Sequence, residues 1–452
     1  MTAFVRDFLA RLDREGVLAC TCGRRHRVAA ADLIVEEGAL PRAAELLVRR
    51  HGPRPTLWVL SDENTEAAAG ARWKSLLAGA AIHARVLPAA PRPVPSVELA
   101  GDLAAEVRRA APDLLIAVGA GVISDMVKKV SLDAGVPSWC IATAPSVDAY
   151  SSATASLRIA GYHATAAARI ADVVVCDLDV LRRAPSAMVL AGLGDLLAKF
   201  LAHLDWRVAH AVTGEHFCPA IAELALESAR AAVRAAHALE TDAVAAVASL
   251  TDAVLVSGFA MQAMGGSRPA ASVEHTIAHF WETTHAVANE TFDLHGILVG
   301  AATALVLPAY RTFYGRVAGE EPDVAQRIAA LAAEPPWREQ LEPAMQPFAD
   351  KIAGEMRDRS ADAQGRLEAY AARRGRLAAM AGPLLDELAG AIDLLEGLGF
   401  PFALDVVGVA GPLRMPPVRC ARMLRHRYTT FDLAHELGVE AEMFAAVAAG
   451  AR

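Results

Sequence analysis

Between residues 56 and 178, short β-rich apolar runs recur with helix-length amphipathic stretches between them. The runs are TLWVLSD (56–62), IHARVL (82–87), DLLIAVG (113–119), PSWCIAT (137–143) and DVVVCDL (172–178), and the intervening segments include VELAGDLAAEVRRAAP (97–112), as ALPRAAELLVRRHG (39–52) precedes the first. A parallel neighbour can be reached only through a crossover, so this alternation predicts βαβ units in an open, doubly wound sheet. The runs are almost continuously apolar, as strands covered by helices on both faces should be. After Pro185 the strand signal fades. Ala- and Leu-rich stretches at 3.6-residue spacing fill about 187 to 449, broken at GGSRP (265–269), EEPD (320–323), EPPW (334–337) and around 399–417. The expected fold is an α/β domain with a mostly parallel sheet over 1–184, followed by an all-α domain over 185–452. The charged stretch 349–376 reads as a solvated helix face.

Composition narrows the function classes. Of 452 residues, 54% are hydrophobic and 21% charged, which supplies two buried cores and rules out a disordered chain. Lys and Arg number 44 against 52 Asp and Glu, a net charge of −8 that leaves no basic surplus for a nucleic-acid backbone. The opening MTAFVRDFLARLDREG carries charges at helical spacing, without the apolar core and cleavage site of a secretory signal. The most apolar stretches, near 242–265 and 296–310, are interrupted by Asp252 or read as too short to cross a bilayer, so no membrane insertion is expected. Six cysteines, four of them (Cys140, Cys176, Cys218, Cys420) scattered singly, make no disulfide scaffold and fit a reducing cytoplasm.

Four segments offer chemistry. GAGVISDMVKK (119–129) follows a strand and opens a helix, so Gly119 and Gly121 could bring backbone N–H groups to a phosphate; the spacing is not GxGxxG, and a plain tight turn explains it equally. Asp62 ends the first strong strand, where a carboxylate can bond ribose hydroxyls or simply cap the next helix. The polar loop APSVDAYSSATAS (144–156) lies at another strand's carboxyl end. The densest segment is SRPAASVEHTIAHFWETTHAVANETFDLHG (267–296), with His275, His279, His285 and His295 among Glu274, Glu282 and Asp293. Imidazoles beside carboxylates suit a borderline divalent metal. Spacing leaves the ligand set open: His275 and His279 with Glu282 could form a local site, or any of them could join a distant carboxylate. Separately, Cys20-Thr-Cys22-Gly-Arg-Arg-His26 resembles half of a zinc knuckle, but no second ligand pair follows at zinc-ribbon spacing, and a simple turn is the expectation.

Taken in order, these segments resemble the bacterial branch of the glycerol-1-phosphate dehydrogenase family, in the iron-containing alcohol dehydrogenase superfamily. AGLGDLLAKF (191–200), LDWRVAH (204–210), SRPAxxxEH (267–275), LHG (294–296), the opening CTCGRRH and the closing RHRYTTFDLAHELG (425–438) carry the resemblance over nearly the whole chain. It implies a nucleotide-binding domain (1–184), a helical metal- and substrate-binding domain (185–452) and an active site in the cleft between them. It also implies one divalent metal ion (zinc, nickel or iron) on Asp195, His275 and His295, and NAD or NADP contacting Asp62, Gly119, Gly121, Ser124, Asp125, Ser146 and Ser151. His279 becomes a neighbour of the metal and, with Asp148, a candidate catalytic group. The implied reaction interconverts dihydroxyacetone phosphate and sn-glycerol 1-phosphate in a cytoplasmic homodimer.

Some positions depart from the family pattern. Ala149 replaces Gly in PSxDG, Val122 replaces Thr in the nucleotide turn, Ala271 and Ser272 alter SRPASGxEH, and Gly161 to Thr165 replace basic residues. A phosphorylated triose would still need a cation, for which Arg268 and Arg158 are the sequence candidates beside substrate-binding Asp148. The altered loops keep open a related reductase of another small polyol, ketone or aldehyde. A cyclase similar to dehydroquinate synthase fits SRPAxxxEH and DWRVAH less well.

Overall fold

A computed structural model describes residues 3–29, 32–288, 292–317, 320–356 and 362–450. After a short helix, α1 (Ala3–Leu9), a two-stranded hairpin pairs β1 (Val17–Leu18) with β2 (His26–Arg27). The main sheet comprises β3 (Asp32–Glu36), β4 (Thr56–Asp62), β5 (Ala81–Leu87), β6 (Leu114–Gly119), β7 (Ser138–Ala142) and β10 (Val173–Asp177). Its order is β3-β10-β7-β6-β4-β5, and every pairing is parallel. Helices α2 (Ala39–His51), α3 (Val97–Ala110) and α4 (Gly121–Ala134) supply crossovers. β6, β7 and β10 are buried at every position, which accounts for their unbroken apolar sequence, whereas edge strand β5 is largely exposed.

The five expected runs are all strands; β3 and the hairpins lay outside that expectation. An antiparallel pair, β8 (Thr154–Ile159) and β9 (Tyr162–Ala167), turns at Ala160 and Gly161, both at positive φ. Its alanine-rich sequence carries little β-propensity, so tertiary pairing and not local preference makes it extended.

From Ser186 onward the chain is helical: α5 (Ser186–Thr213), α6 (Pro219–Ala238), α7 (Ala243–Met264), α8 (Val273–Val287), α9 (His295–Thr312), α10 (Ala363–Gly397), α11 (Thr430–Leu437) and α12 (Glu440–Gly450). Central α5 packs on α6, α9 and α10. Residues 357–361, inside the stretch read as one charged helix face, lie outside the described residues; a short helix, Ala349–Glu355, precedes them and α10 follows. Helix α1 packs on α7 in the helical half, with Phe8 stacked on Phe259.

One expectation is corrected by helix length. Ser186–Thr213, Ala243–Met264 and His295–Gly315 are long and apolar enough to cross a membrane by length and composition. Most of each apolar window is instead buried in the helical C-terminal region, where neighbouring helices cover the surface that lipid would cover.

Candidate active site

Strands β4 and β6 are neighbours, yet from β4 the chain first runs outward to β5 and then returns across β4 to build β6. Such a reversal opens a crevice at the carboxyl ends of the strands. A cleft of about 370 Å³ lies there, lined on the sheet side by Asp62, Gly121, Asp125 and the 146–149 loop, and on the helical side by Asp195, His275, His279 and His295.

The two glycines of the β6 turn divide their work. A Cβ on Gly119 would lie 2.6 Å from the Ile123 Cβ, so Gly119 lets strand and helix pack closely, while Gly121 starts α4 at the cleft wall. The N–H groups of this first turn favour an anionic ligand. Asp62 both caps and faces the cleft: its Oδ1 accepts the Thr65 N–H at 2.8 Å, and Thr65 Oγ1 accepts the Asp62 N–H in return. Asp125 lines the cleft while its carboxylate accepts the Ser156 N–H at 2.9 Å and pairs with buried Lys128 at 2.8 Å. Lys128 Nζ donates to the Ala149 and Thr154 carbonyls at 2.7 and 2.6 Å, which fixes the loop carrying Ser146 and Asp148.

Two expected cofactor contacts are corrected. Ser124 is buried behind α4 beside Cys140, because it follows Ile123 onto the sheet-facing side of the helix. Ser151 is fully buried and donates to the Leu255 carbonyl of α7 at 2.6 Å, so its hydroxyl joins the two halves; neighbouring Ser152 lines the cleft.

Close backbone approach brings Asp195 and His295 together. A Cβ on Gly192 would lie 1.9 Å from the Pro145 carbonyl oxygen, and one on Gly296 would lie 1.9 Å from that of Ala191. Only glycine lets the 145–148 loop and α9 sit this near α5, which is the physical content of GLGD and LHG. One donor atom each from Asp195, His275 and His295 then lies within 4.8 Å of the others. The His275 Nε2 is 3.3 Å from Asp195 Oδ1, and its Nδ1 meets Glu274 Oε1 at 3.0 Å. His295 Nδ1 meets Glu282 Oε1 at 2.8 Å. A carboxylate behind each imidazole leaves Nε2 as the outward nitrogen, as metal-binding histidines require. One carboxylate and two imidazoles fit a borderline divalent ion with a position left open.

The surroundings are electrostatically unequal. Burial alone would raise the Asp195 pKa, but Lys199 and His275 outweigh it and hold the carboxyl well below its ordinary range. Burial opposes the His295 charge, yet Glu282 raises its pKa to about 9. Lys199 Nζ lies 2.9 Å from Asp148 Oδ2 and 3.5 Å from Asp195 Oδ1, so one buried cation links loop and helix. Ser257 donates to the same Asp148 oxygen at 2.7 Å. His279 Nδ1 bonds Glu282 Oε2 at 2.8 Å, and burial pushes its pKa well down despite that carboxylate. His163, from β9, stacks on His279 with ring centroids 5.3 Å apart. Lys199 was legible only as a charge four residues after Asp195 in an apolar stretch of the helix, and His163 carried no signal beyond its departure from the family pattern.

Arg268 is a correction. Its Nε donates to Glu215 Oε1 at 2.8 Å and its Nη2 to the Tyr428 carbonyl at 2.9 Å, so its fork closes the turn at Pro269 instead of facing the cleft. Arg427 ties the same turn through the Ala271 carbonyl at 2.8 Å and Ser267 Oγ at 2.7 Å. Arg158, on β8, gives its backbone N–H to Pro95 and does not line the cleft. Among the described lining residues, the Arg and Lys side chains are Arg92, held by the Phe292 and Asp293 carbonyls, and Arg425, from the closing RHRYTT segment.

Comparisons with known proteins identify the relatives of this chain. The sequence model of the iron-containing alcohol dehydrogenase family matches residues 34–185. A glycerol-1-phosphate dehydrogenase (NAD(P)+) from Geobacillus thermodenitrificans is 37% identical over 45% of this chain, which spans half the length of that relative. The enzyme of that name from Halalkalibacterium halodurans is 33% identical over 65% of this chain and 74% of its own, and that from Bacillus velezensis 28% identical over 95% and 96%. Two solved structures share the fold: a probable glycerol dehydrogenase from Sinorhizobium meliloti (TM-score 0.58, 17% identity, 92% of this chain and 97% of the other) and a maleylacetate reductase from Agrobacterium tumefaciens (TM-score 0.58, 18% identity, 94% and 98%). The chain is therefore an oxidoreductase and belongs to the glycerol-1-phosphate dehydrogenase family, within the iron-containing alcohol dehydrogenases.

Proposed function

We propose that this cleft interconverts dihydroxyacetone phosphate and sn-glycerol 1-phosphate, using NAD or NADP and one divalent ion held by Asp195, His275 and His295. The observation that carries the reading is the convergence of these donors, each imidazole backed by a carboxylate, at the mouth of the sheet's switch point. When bound, the metal supplies Lewis-acid polarisation of the ketone oxygen and the nicotinamide supplies the hydride.

The chain's own residues bind, orient and move a proton. Gly121 and the first turn of α4 receive the cofactor's phosphates, with Ser146 beside them, and Asp62 meets the adenosine ribose. Lys199 and Ser257 hold the Asp148 carboxylate against the cleft, where it accepts a substrate hydroxyl. His279, with Nδ1 committed to Glu282, presents Nε2 as a base for the alcohol proton in the oxidative direction. Arg425 replaces Arg268 as the cation for the substrate phosphate. The protein works as a cytoplasmic homodimer in this reading, and sedimentation should give twice the 47.6 kDa chain mass.

The test is NADH absorbance with dihydroxyacetone phosphate and dihydroxyacetone side by side, before and after chelation and after return of zinc, nickel or iron. Metal-restored turnover that favours the phosphorylated ketone is expected. A chelated protein reducing it at full rate would sink the metal-dependent reading. Equal turnover of both ketones would point to an unphosphorylated polyol.

A further inference from the structure

A second cluster of metal-type donors lies outside this cleft. The loop between β1 and β2 carries Cys20 and Cys22, and His26 begins β2, where it pairs with Leu18. Gly23, at φ 84°, turns the chain after Cys22 so that both cysteines and His26 face one point. Cys218, which sequence spacing leaves as a scattered cysteine, is the N-cap residue of α6 and is buried against the same point. One donor atom from each of Cys20, Cys22, His26 and Cys218 lies within 4.8 Å of the others. Cys20 Sγ and Cys22 Sγ are 3.1 Å apart, and Cys22 Sγ is 2.9 Å from His26 Nε2. The far nitrogen of the ring, Nδ1, meets the Ala263 carbonyl of α7 at 3.0 Å.

We infer that Cys20, Cys22, His26 and Cys218 form a structural zinc site that fastens the N-terminal hairpin to the start of α6 and the end of α7. Zinc bonds of about 2.3 Å to sulfur in a tetrahedron place the sulfurs about 3.8 Å apart, so the Cys20 and Cys22 sulfurs, 3.1 Å apart here, need to separate by only about 0.7 Å to seat an ion. A carbonyl on Nδ1 fixes the tautomer in which Nε2 is the free ligand nitrogen, the arrangement expected behind a metal-bound imidazole. Three sulfurs and one imidazole fill all four positions, so the ion is structural and soft-ligand selective, unlike the open oxygen-and-nitrogen site in the cleft. The ligand missing from the sequence's zinc-knuckle pattern is supplied by the fold, from the N-cap of α6. Binding needs no oxidant: each thiol loses its proton as its sulfur coordinates the ion.

The experiment uses the full chain purified without added chelator, with metal content measured per chain. We expect two equivalents, of which Cys218→Ser loses one and His275→Ala loses the other. Cobalt(II) exchange of the wild-type protein provides a readout that needs no variant. Thiolate coordination gives an intense sulfur-to-cobalt charge-transfer absorption, which a carboxylate and two imidazoles cannot produce. Loss of that absorption in Cys22→Ser, with the cleft metal retained, completes the expected result. Wild-type protein without the thiolate–cobalt absorption overturns the inference, as does a Cys20–Cys22 disulfide in protein prepared without oxygen. Neither outcome bears on metal-dependent turnover in the cleft, so the two readings fail separately.

Discussion

Asp195 and Asp205 lie ten residues apart on the same helix, both buried, both inside conspicuous sequence motifs, and they do opposite things. Asp195 faces Lys199 on one side and the imidazoles of His275 and His295 on another. Asp205 faces neutral donors. Its Oδ1 accepts the Thr430 N–H and hydroxyl at 2.8 and 2.6 Å, and its Oδ2 accepts Tyr310 at 2.6 Å and the Ser272 hydroxyl. Burial therefore raises the Asp205 pKa, with Ser272, Thr430 and Tyr310 offsetting part of that, whereas cations lower that of Asp195. A carboxylate among cations is a ligand in waiting; a carboxylate among hydroxyls is a tie between α5, the turn before α8, α9 and α11. DWRVAH is thus a packing motif and GLGD a chemical one.

Substituting the two aspartates should separate activity from stability. Asp195→Ala should remove the metal and lower kcat/KM by about 10³-fold or more, since metal polarisation is worth several kcal/mol. In metal-free samples its unfolding midpoint should fall less than that of Asp205→Ala, because Asp148 still pairs with Lys199 at 2.9 Å. Asp205→Ala should do the reverse: orphaning buried donors costs about 3 kcal/mol, or roughly 3–5 °C of Tm in a chain of this size, while residual folded enzyme keeps its KM. Matched losses of Tm in both variants would break the distinction.

The same pair predicts opposite pH slopes in metal-free protein. Asp195 has a depressed folded pKa, so its contribution to stability is present above the unfolded value of 3.8 and is lost as pH falls below it. Asp205 has a raised folded pKa, so its favourable proton binding is complete below 3.8 and is lost as pH rises. Urea titrations of Asp195→Asn and Asp205→Asn from acid to neutral pH should therefore diverge from wild type in opposite directions.

Two smaller effects sharpen the contrast between cleft and scaffold. Arg425→Ala should raise KM for the phosphorylated ketone by about 30- to 150-fold relative to dihydroxyacetone, the loss of a charge-assisted contact of about 2–3 kcal/mol. Arg268→Ala should lower stability and affect both ketones alike, because Glu215 would keep a part-buried charge without its partner. The smallest change is Asp62→Ala. Loss of the cap should cost about 1 kcal/mol of stability, and the KM gap between NAD and NADP should narrow. An enzyme already favouring NADP would leave Asp62 with the cap alone.

Local sequence determined whatever depends on neighbours along the chain. The apolar runs of β4, β6, β7 and β10 can be satisfied only between covering helices, and their helical connections force parallel pairing, so the sheet is legible in the sequence alone. The histidine-rich segment was legible as metal chemistry because imidazoles and carboxylates crowd into it, though only family resemblance added Asp195. Tertiary structure decided everything that depends on direction. Arg268 points to Glu215, Ser124 and Ser151 turn into the core, Lys199 bridges Asp148 to Asp195, and Arg425 arrives at the cleft from a segment 150 residues beyond His275. Cys218 shows the reason most plainly. Its partners Cys20, Cys22 and His26 lie almost two hundred positions earlier, and no periodicity in a sequence encodes which helix cap a distant hairpin will meet.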